Sequence, residues 1–416
     1  MDILTRSLYD AVIIGAGPAG IMAAITASRR NRRVILLEKM PSVARKLLIS
    51  GKGRCNLTNS GNIDKFLEKF SPSGVFLRNA FSRFFNDDLI AFFEESSCPL
   101  KTERGGRVFP LSDSSADILN ALKQHLEKNN VKIARDEEVV DIYIEKYGIK
   151  CVAAKSGRKY YAMSVAVCTG GLSYPLTGST GFGFSMAKNM GHNVIAASPG
   201  LVGVVVKSVM PRNLEGLSLE NVSCAVHTGG KIIDSRQGDM IFTYSGLSGP
   251  VILDLSGLIY DLLQKDKQVF VSINLKPGLD IKKLDARLQR EFLEQPLKIL
   301  KNILIQLLPA RLVPEFLKYC ALNPAKKANQ ITKDERKKLM ESLFDFRFEI
   351  VRTGPIKDAI ITRGGVSTRQ INPKTMESRV IKGVYFAGEV IDVDAKTGGY
   401  NMQAAFSTGY VCGENL

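Results

Sequence analysis

At 416 residues, 45% hydrophobic and 24% charged, the chain is long enough to bury large cores and to form two or three domains. No run approaches the roughly 18 to 20 apolar residues of a membrane span, and Met1–Arg6 offers no apolar signal segment, so a cytoplasmic chain is expected. Seven cysteines without a Cys-x-x-Cys pair and three histidines without ligand spacing argue against a zinc ribbon, an iron–sulfur site, a dithiol centre or any metal site. The net charge of +16 is dispersed, densest at Arg29–Arg33 and Lys333–Lys338. Basic residues at a helix C-terminus complement its dipole without a partner, so nucleic acid is not the favoured one.

The first element is a β-branched run, Asp10–Ile14, that stops at Gly15-Ala16-Gly17-Pro18-Ala19-Gly20. Helix-compatible residues follow over Ile21–Ala27, then a second apolar strand, Val34–Leu37, ending at Glu38 and Lys39. Strand, Gly-x-Gly-x-x-Gly turn, helix, strand and acid stand in the order a dinucleotide site requires. Gly15 permits the sharp exit from the strand, Gly17 lets backbone approach a pyrophosphate, and Gly20 lets helix lie close on sheet. The N–H groups at the helix start face the phosphates, and Glu38 accepts from the ribose hydroxyls.

Next comes Lys46–Asn59, a polar loop with little apolar content. Gly51 and Gly53 allow close approach; Lys46, Lys52 and Arg54 bring positive charge; Ser50, Asn56, Thr58 and Asn59 bring hydrogen-bonding groups around Cys55. Two helices are expected at 86–97 and 113–129, and Val139 is a candidate cofactor contact. Tyr160–Cys168 then reads as a strand ending in Thr169-Gly170-Gly171, a turn that passes back over the cofactor in flavoproteins of the glutathione reductase type. From Leu201 to Ile273 short β-branched runs alternate with Gly and Asp turns, as in a small antiparallel sheet or barrel. Residues 280–346 switch to helical periodicity, with apolar residues four apart at Leu284, Leu288 and Phe292. Strand character returns at Arg347–Val351 and Ala359–Val366. Gly383–Glu389 resembles the last flavoprotein motif, a buried strand ending in Gly-Asp, with Gly388 and the longer acid Glu389 in those places. A last helix should begin near Asn401, in Gly399-Tyr400-Asn401-Met402, either capped by Asn401 or aimed at the flavin.

The expected fold is therefore α/β: a Rossmann-like FAD-binding domain of the glutathione reductase type with an inserted β-barrel-like domain carrying a helical subdomain. The boundaries are 1–195 and 353–416 for the nucleotide domain, 196–278 and 340–352 for the β insert, and 279–339 for the helical part. Four blocks narrow the reading: Gly51–Asn59; Gly170–Pro175 with Thr177–Gly181; Ile371–Ser378; and Phe386–Asp394 running into Thr397–Gln403. In these the chain resembles the aminoacetone oxidase family of FAD-binding enzymes, also described as NAD(P)/FAD-dependent oxidoreductases of the YhiN and BaiN type. Two positions depart from the family pattern: Phe182, where an acid is usual, and Ala395, where glycine is common.

The resemblance implies FAD as cofactor and either amine oxidation or reduction of an enone-type double bond. A single dinucleotide fingerprint leaves NAD(P)H only the role of a transient electron donor without a domain of its own. Arg54, Cys55 and Tyr174 are the catalytic candidates, with a packing role weighing against Cys55. Asp392 and Asp394 read as caps or backbone partners of the last helix. The favoured function is an FAD oxidoreductase holding a small substrate between flavin and insert. An RNA-modifying flavoprotein, motivated by the charge, and a flavin-dependent regulator with little turnover stay open; the oligomeric state is unassigned.

Overall fold

The computed structural model describes residues 8–416; the expectation about Met1–Arg6 lies outside them. The chain divides into two compact units, one running to Gly200 and resuming at Ile356–Leu416, the other Leu201–Pro355.

In the first unit, strands pair in the order Lys132–Ala134, Val34–Leu37, Leu8–Ile14, Lys159–Val167, Lys150–Ala154 and Val139–Ile144. Val384–Phe386 joins the end of Lys159–Val167 in parallel. The first four strands pair in parallel and the last two antiparallel. Val34–Leu37 is buried throughout, the all-apolar pattern of a parallel strand covered on both faces. The first helix, Pro18–Arg29, begins with proline at the position where a missing N–H costs nothing. Helices Asn86–Glu94 and Ser115–Lys128 lie where the sequence placed them.

The last helix, Tyr400–Asn415, crosses the first one through glycines. A Cβ on Gly409 would come within 2.3 Å of the Ala19 carbonyl oxygen, and one on Gly413 within 2.5 Å of that of Ala23. Small residues on both sides let the two backbones touch, so the chain ends are packed on each other.

The second unit contains a closed six-stranded barrel: Val204–Val206, Gly246–Ser248, Lys231–Thr243, Ser218–Thr228, Val269–Asn274 and Phe346–Thr353. The all-strand reading of 201–273 needs correction, because Met210–Asn213 is a single helical turn and Pro250–Leu263 a helix. Its β-branched start resembles a strand, but Gly249-Pro250 opens a helix, and Val251, Ile252, Leu255, Ile259 and Leu262 bury a helical face into the barrel's core cluster. Residues 281–344 carry helices joined by turns, in keeping with the periodicity, beginning with Ile281–Glu294 and closing with Lys333–Phe344, each capped by a side chain, Asp280 and Thr332. No helix among the described residues is long and apolar enough to cross a membrane.

Candidate flavin site

The site is built where the two ends of the first unit converge. Gly15 has φ +99°, and a Cβ there would lie 2.6 Å from the Cys168 carbonyl oxygen, so the first turn can pass Cys168-Thr169 only as glycine. A Cβ on Gly20 would sit 1.9 Å from the Gly15 oxygen, whereas one on Gly17 meets nothing within 4 Å. The sequence thus spends two glycines on packing and leaves open space in front of the third. Gly388 completes the convergence: its Cβ would stand 2.8 Å from that of Ala19.

Glu38 ends its strand with both oxygens in use. The Ala16 N–H donates to one at 2.8 Å and the Met40 N–H to the other at 2.9 Å, fixing the carboxylate beside the glycine turn. Burial raises its pKa above the ordinary value, against the pull of those two N–H groups and of Lys39 and Arg45. The Lys39 ammonium donates to the Thr180 hydroxyl at 2.8 Å, tying the Thr177–Gly181 loop to this end of the site. Val139 is buried two residues after Glu137, whose N–H donates to the Glu38 carbonyl at 2.9 Å.

Glu389 sits in a second polar cluster. It pairs with the Lys46 ammonium at 2.7 Å and accepts from the Ser173 hydroxyl at 3.1 Å and the Thr362 N–H at 2.7 Å. Thr362 was not legible in the sequence; its only signal is the Gly364-Gly365 pair two residues on. The Thr362 hydroxyl also accepts from the Leu172 N–H, and a Cβ on Gly171 would strike it, so Thr169-Gly170-Gly171 lies directly against the strand Ile361–Val366. The Thr169 hydroxyl is buried without a hydrogen-bond partner. It lies against the helix Phe182–Asn189, where a Cβ on Gly183 would come within 2.2 Å of it.

At the start of the last helix the cap is Gly399, φ +96°, with no side-chain hydrogen bond. Asn401 is not the cap: its amide pairs with both the N–H (2.9 Å) and the carbonyl (2.8 Å) of Ala395 and braces the preceding loop. Nor does Asp392 or Asp394 cap it. A Cβ on Gly399 would lie 2.4 Å from the Thr58 oxygen, and the Thr58 hydroxyl donates to Gln403 at 2.6 Å, so the polar loop and the helix start are locked together. Tyr400 is buried with its ring edge-on to Phe66, and Met402 is half-buried.

Within the polar loop, Gly51, Lys52, Gly53 and Cys55 all have positive φ. The Ser50 hydroxyl bonds the Leu47 carbonyl and the Ser50 carbonyl receives the Cys55 N–H, while Asn56 is half-buried. Arg54 lies over the Phe109 ring at 4.1 Å, its guanidinium shared between Glu103 and Asp113. Burial pushes the Cys55 thiol up to about 12, so it stays a neutral packed side chain. Tyr174, half-buried on left-handed backbone, opens the short turn Pro175–Thr177. Among the described residues no group of His, Cys, Asp and Glu is placed to hold a metal ion.

Residues 9–415 match the model of the HI0933-like protein Rossmann domain family. The chain belongs to that family. Across 98% of both chains it is 32% identical to the ribosomal RNA dihydrouridine synthase of Escherichia coli (strain K12). It is 31% identical to the protein of the same name from Haemophilus influenzae (strain ATCC 51907 / DSM 11121 / KW20 / Rd), over 96% of each chain. To the 3-dehydro-bile acid delta(4,6)-reductase of Clostridium scindens (strain ATCC 35704 / DSM 5676 / VPI 13733 / 19) it is 29% identical, over 96% of this chain and 97% of that one. The HI0933-like chain described here is a FAD-dependent oxidoreductase on a Rossmann-type fold.

Proposed function

We propose that this enzyme adds hydrogen across a carbon–carbon double bond conjugated to a carbonyl. The observation that supports it is chemical: relatives whose names point to a nucleobase and to a bile acid share this one transformation. Dihydrouridine is uridine saturated at the double bond beside a ring carbonyl, and a delta(4,6) pair in a 3-dehydro bile acid is conjugated to its ketone. Bound FAD, once reduced by an external two-electron donor, would supply the hydride, and a proton delivered from solvent would complete the addition.

The chain's own residues would then hold and shield it. Gly15, Ala16, Gly17, Pro18, Ala19 and Gly20 present the helix start to the diphosphate, and Glu38, with Lys39 and Val139 beside it, holds the adenosine end. Lys46, Ser50, Gly51, Gly53 and Asn56, with Thr169–Gly171, Gly388–Glu389 and Gly399–Met402, surround the rest. Of the three catalytic candidates, Arg54 and Cys55 act by bracing the polar loop, since one is tied into ion pairs and the other is buried and neutral. Tyr174 is the one neither fully buried nor ion-paired, and it is assigned to the substrate side.

A second reading places the reducible bond in a uracil of RNA. The charge of +16 favours it, as does identity above 30% to two ribosomal RNA dihydrouridine synthases. The test is anaerobic. Photoreduced protein is mixed with uridine-containing RNA or with a steroid dienone, and reoxidation of the flavin is followed by absorbance. Reoxidation with appearance of the saturated product is expected; reaction with oxygen or amines alone would sink the proposal. NADPH is expected to reduce the flavin slowly and with weak saturation, for want of a second dinucleotide fingerprint. Rapid bleaching at micromolar NADPH would contradict that.

Glu38 gives a pH-dependent expectation. An ionised carboxylate accepts from ribose hydroxyls more strongly than a protonated one, and burial raises the pKa of this carboxyl above the ordinary carboxylate value. FAD affinity should therefore begin to fall, on acidification, at a higher pH than an exposed carboxylate would dictate. Without FAD the sign for stability is opposite to that of a salt-bridged acid: the shift stabilises the fold below the unfolded value and the contribution is lost as pH rises through the raised one. Measuring FAD dissociation constants across pH checks this, with Glu38→Gln expected to bind weakly and without the acid limb.

A further inference from the structure

The dispersed charge of the sequence becomes localised once the helical part of the second unit is taken by itself. Residues 281–339 hold 14 lysines and arginines against 6 aspartates and glutamates, half of the chain's net excess in about a seventh of its length. Most of those acids are already engaged. Asp285 pairs with Arg336 at 2.8 Å, Glu335 with Lys326 at 2.7 Å, Glu291 with Arg287 at 3.9 Å, and Glu315 accepts from Asn213 at 2.8 Å. What remains toward solvent is overwhelmingly cationic.

The same pairs also join the pieces. The bond between Arg336 and Asp285 sets helix Lys333–Phe344 beside helix Ile281–Glu294. Lys326 reaches Glu335 on the first of these, and the bridge between Ile299 and Lys327 brings residues 298–301 alongside. Arg290, Lys301, Lys327, Lys333, Lys337 and Lys338 are all exposed on these joined segments. Their helices already bury Leu284, Leu288, Phe292, Leu339 and Leu343 on the opposite side, so the fold does not need the cations.

We infer that this helical subdomain is an RNA-docking surface that contacts the phosphate backbone through these side chains. The inference rests on the RNA reading of the function and adds the place where the polyanion is held. Phosphate contact by lysine and arginine is strong, independent of sequence and steeply dependent on salt. That suits an enzyme whose reactive group is one base in a long anionic chain. The alternative polyanion is an anionic membrane surface, for which exposed Leu293 and Leu297 argue, and it is decided by the same experiment.

The test uses the full-length yellow protein and the quadruple variant Arg290→Glu, Lys301→Glu, Lys333→Glu and Lys338→Glu, with a quadruple Gln variant as a milder companion. Binding to a fluorescent single-stranded RNA and to vesicles containing phosphatidylserine is measured from 50 to 300 mM salt. Wild type is expected to bind RNA with a steep salt dependence. The Glu variant is expected to lose at least about 100-fold in affinity at low salt, and the Gln variant to lower the log–log salt slope by about 0.7 for each phosphate contact removed. FAD content and melting temperature should match wild type in both. Failure of wild type to bind RNA would overturn the surface together with the RNA reading; so would binding to vesicles instead. RNA binding by wild type that survives charge reversal would overturn the surface alone.

Discussion

Gly17→Val is expected to give a folded protein that has lost its yellow colour. The position has ordinary backbone, φ −81°, and a Cβ there meets no atom within 4 Å. The fold therefore accepts the side chain, while a branched group would fill the open space that we propose for the diphosphate. Overpacking of this kind costs about 1–3 kcal/mol, and displacement of about 3 kcal/mol is about a hundredfold in affinity. The readouts are FAD content after gel filtration and the thermal unfolding curve without cofactor. Gly20→Val supplies the contrast: its Cβ would stand 1.9 Å from the Gly15 oxygen, so that variant should fail to fold. Equal FAD content in Gly17→Val and wild type would remove the diphosphate from this turn.

The second large effect is expected at the crossing of the first and last helices. In an exposed helix Gly→Ala gains about 1 kcal/mol of propensity. At Gly409 the sign should reverse, because the new Cβ would lie 2.3 Å from the Ala19 backbone oxygen and the two helices would have to part. Gly409→Ala is expected to lower stability by about 1–2 kcal/mol and Gly409→Val by about 3 kcal/mol or more, out of a typical total of about 5–15 kcal/mol. Urea unfolding of the FAD-free protein measures this directly. A Gly409→Ala protein more stable than wild type would show that the seam is looser than described.

The sequence made the nucleotide half readable because its chemistry is local. Gly15, Gly17, Gly20 and Glu38 lie within one strand–helix–strand unit, and the spacing of such a unit is dictated by backbone geometry. The last helix was legible at its start, since Gly398-Gly399 precedes a helix-compatible run. What was not legible depends on partners distant in sequence. Nothing in the stretch around Thr362 announces that its N–H and hydroxyl meet Glu389 and Leu172. Arg54 looked like a ligand-binding cation, and its partners Glu103 and Asp113 come from a separate hairpin and loop. Pro250–Leu263 was read as part of a β region because Val251 and Ile252 favour strand locally, while burial along one helical face decides the outcome. Asn401 has the residue type of a cap, yet the positive φ of Gly399 ends the loop two residues earlier and leaves the amide to Ala395.

The glycine seam between the chain's two ends also sets an order of events during synthesis. The first helix cannot meet Gly409 and Gly413 until the final residues have been made. At about 5–20 residues per second, the 216 residues after Gly200 take roughly 10 to 40 s, during which Ala19, Ala23 and Thr26, buried in the finished protein, lack that cover. The barrel unit, contiguous from Leu201 to Pro355, is complete before the nucleotide unit can close. A ribosome that stalls in the last helix releases a chain whose first helix lacks its partner and is open to chaperones and proteases.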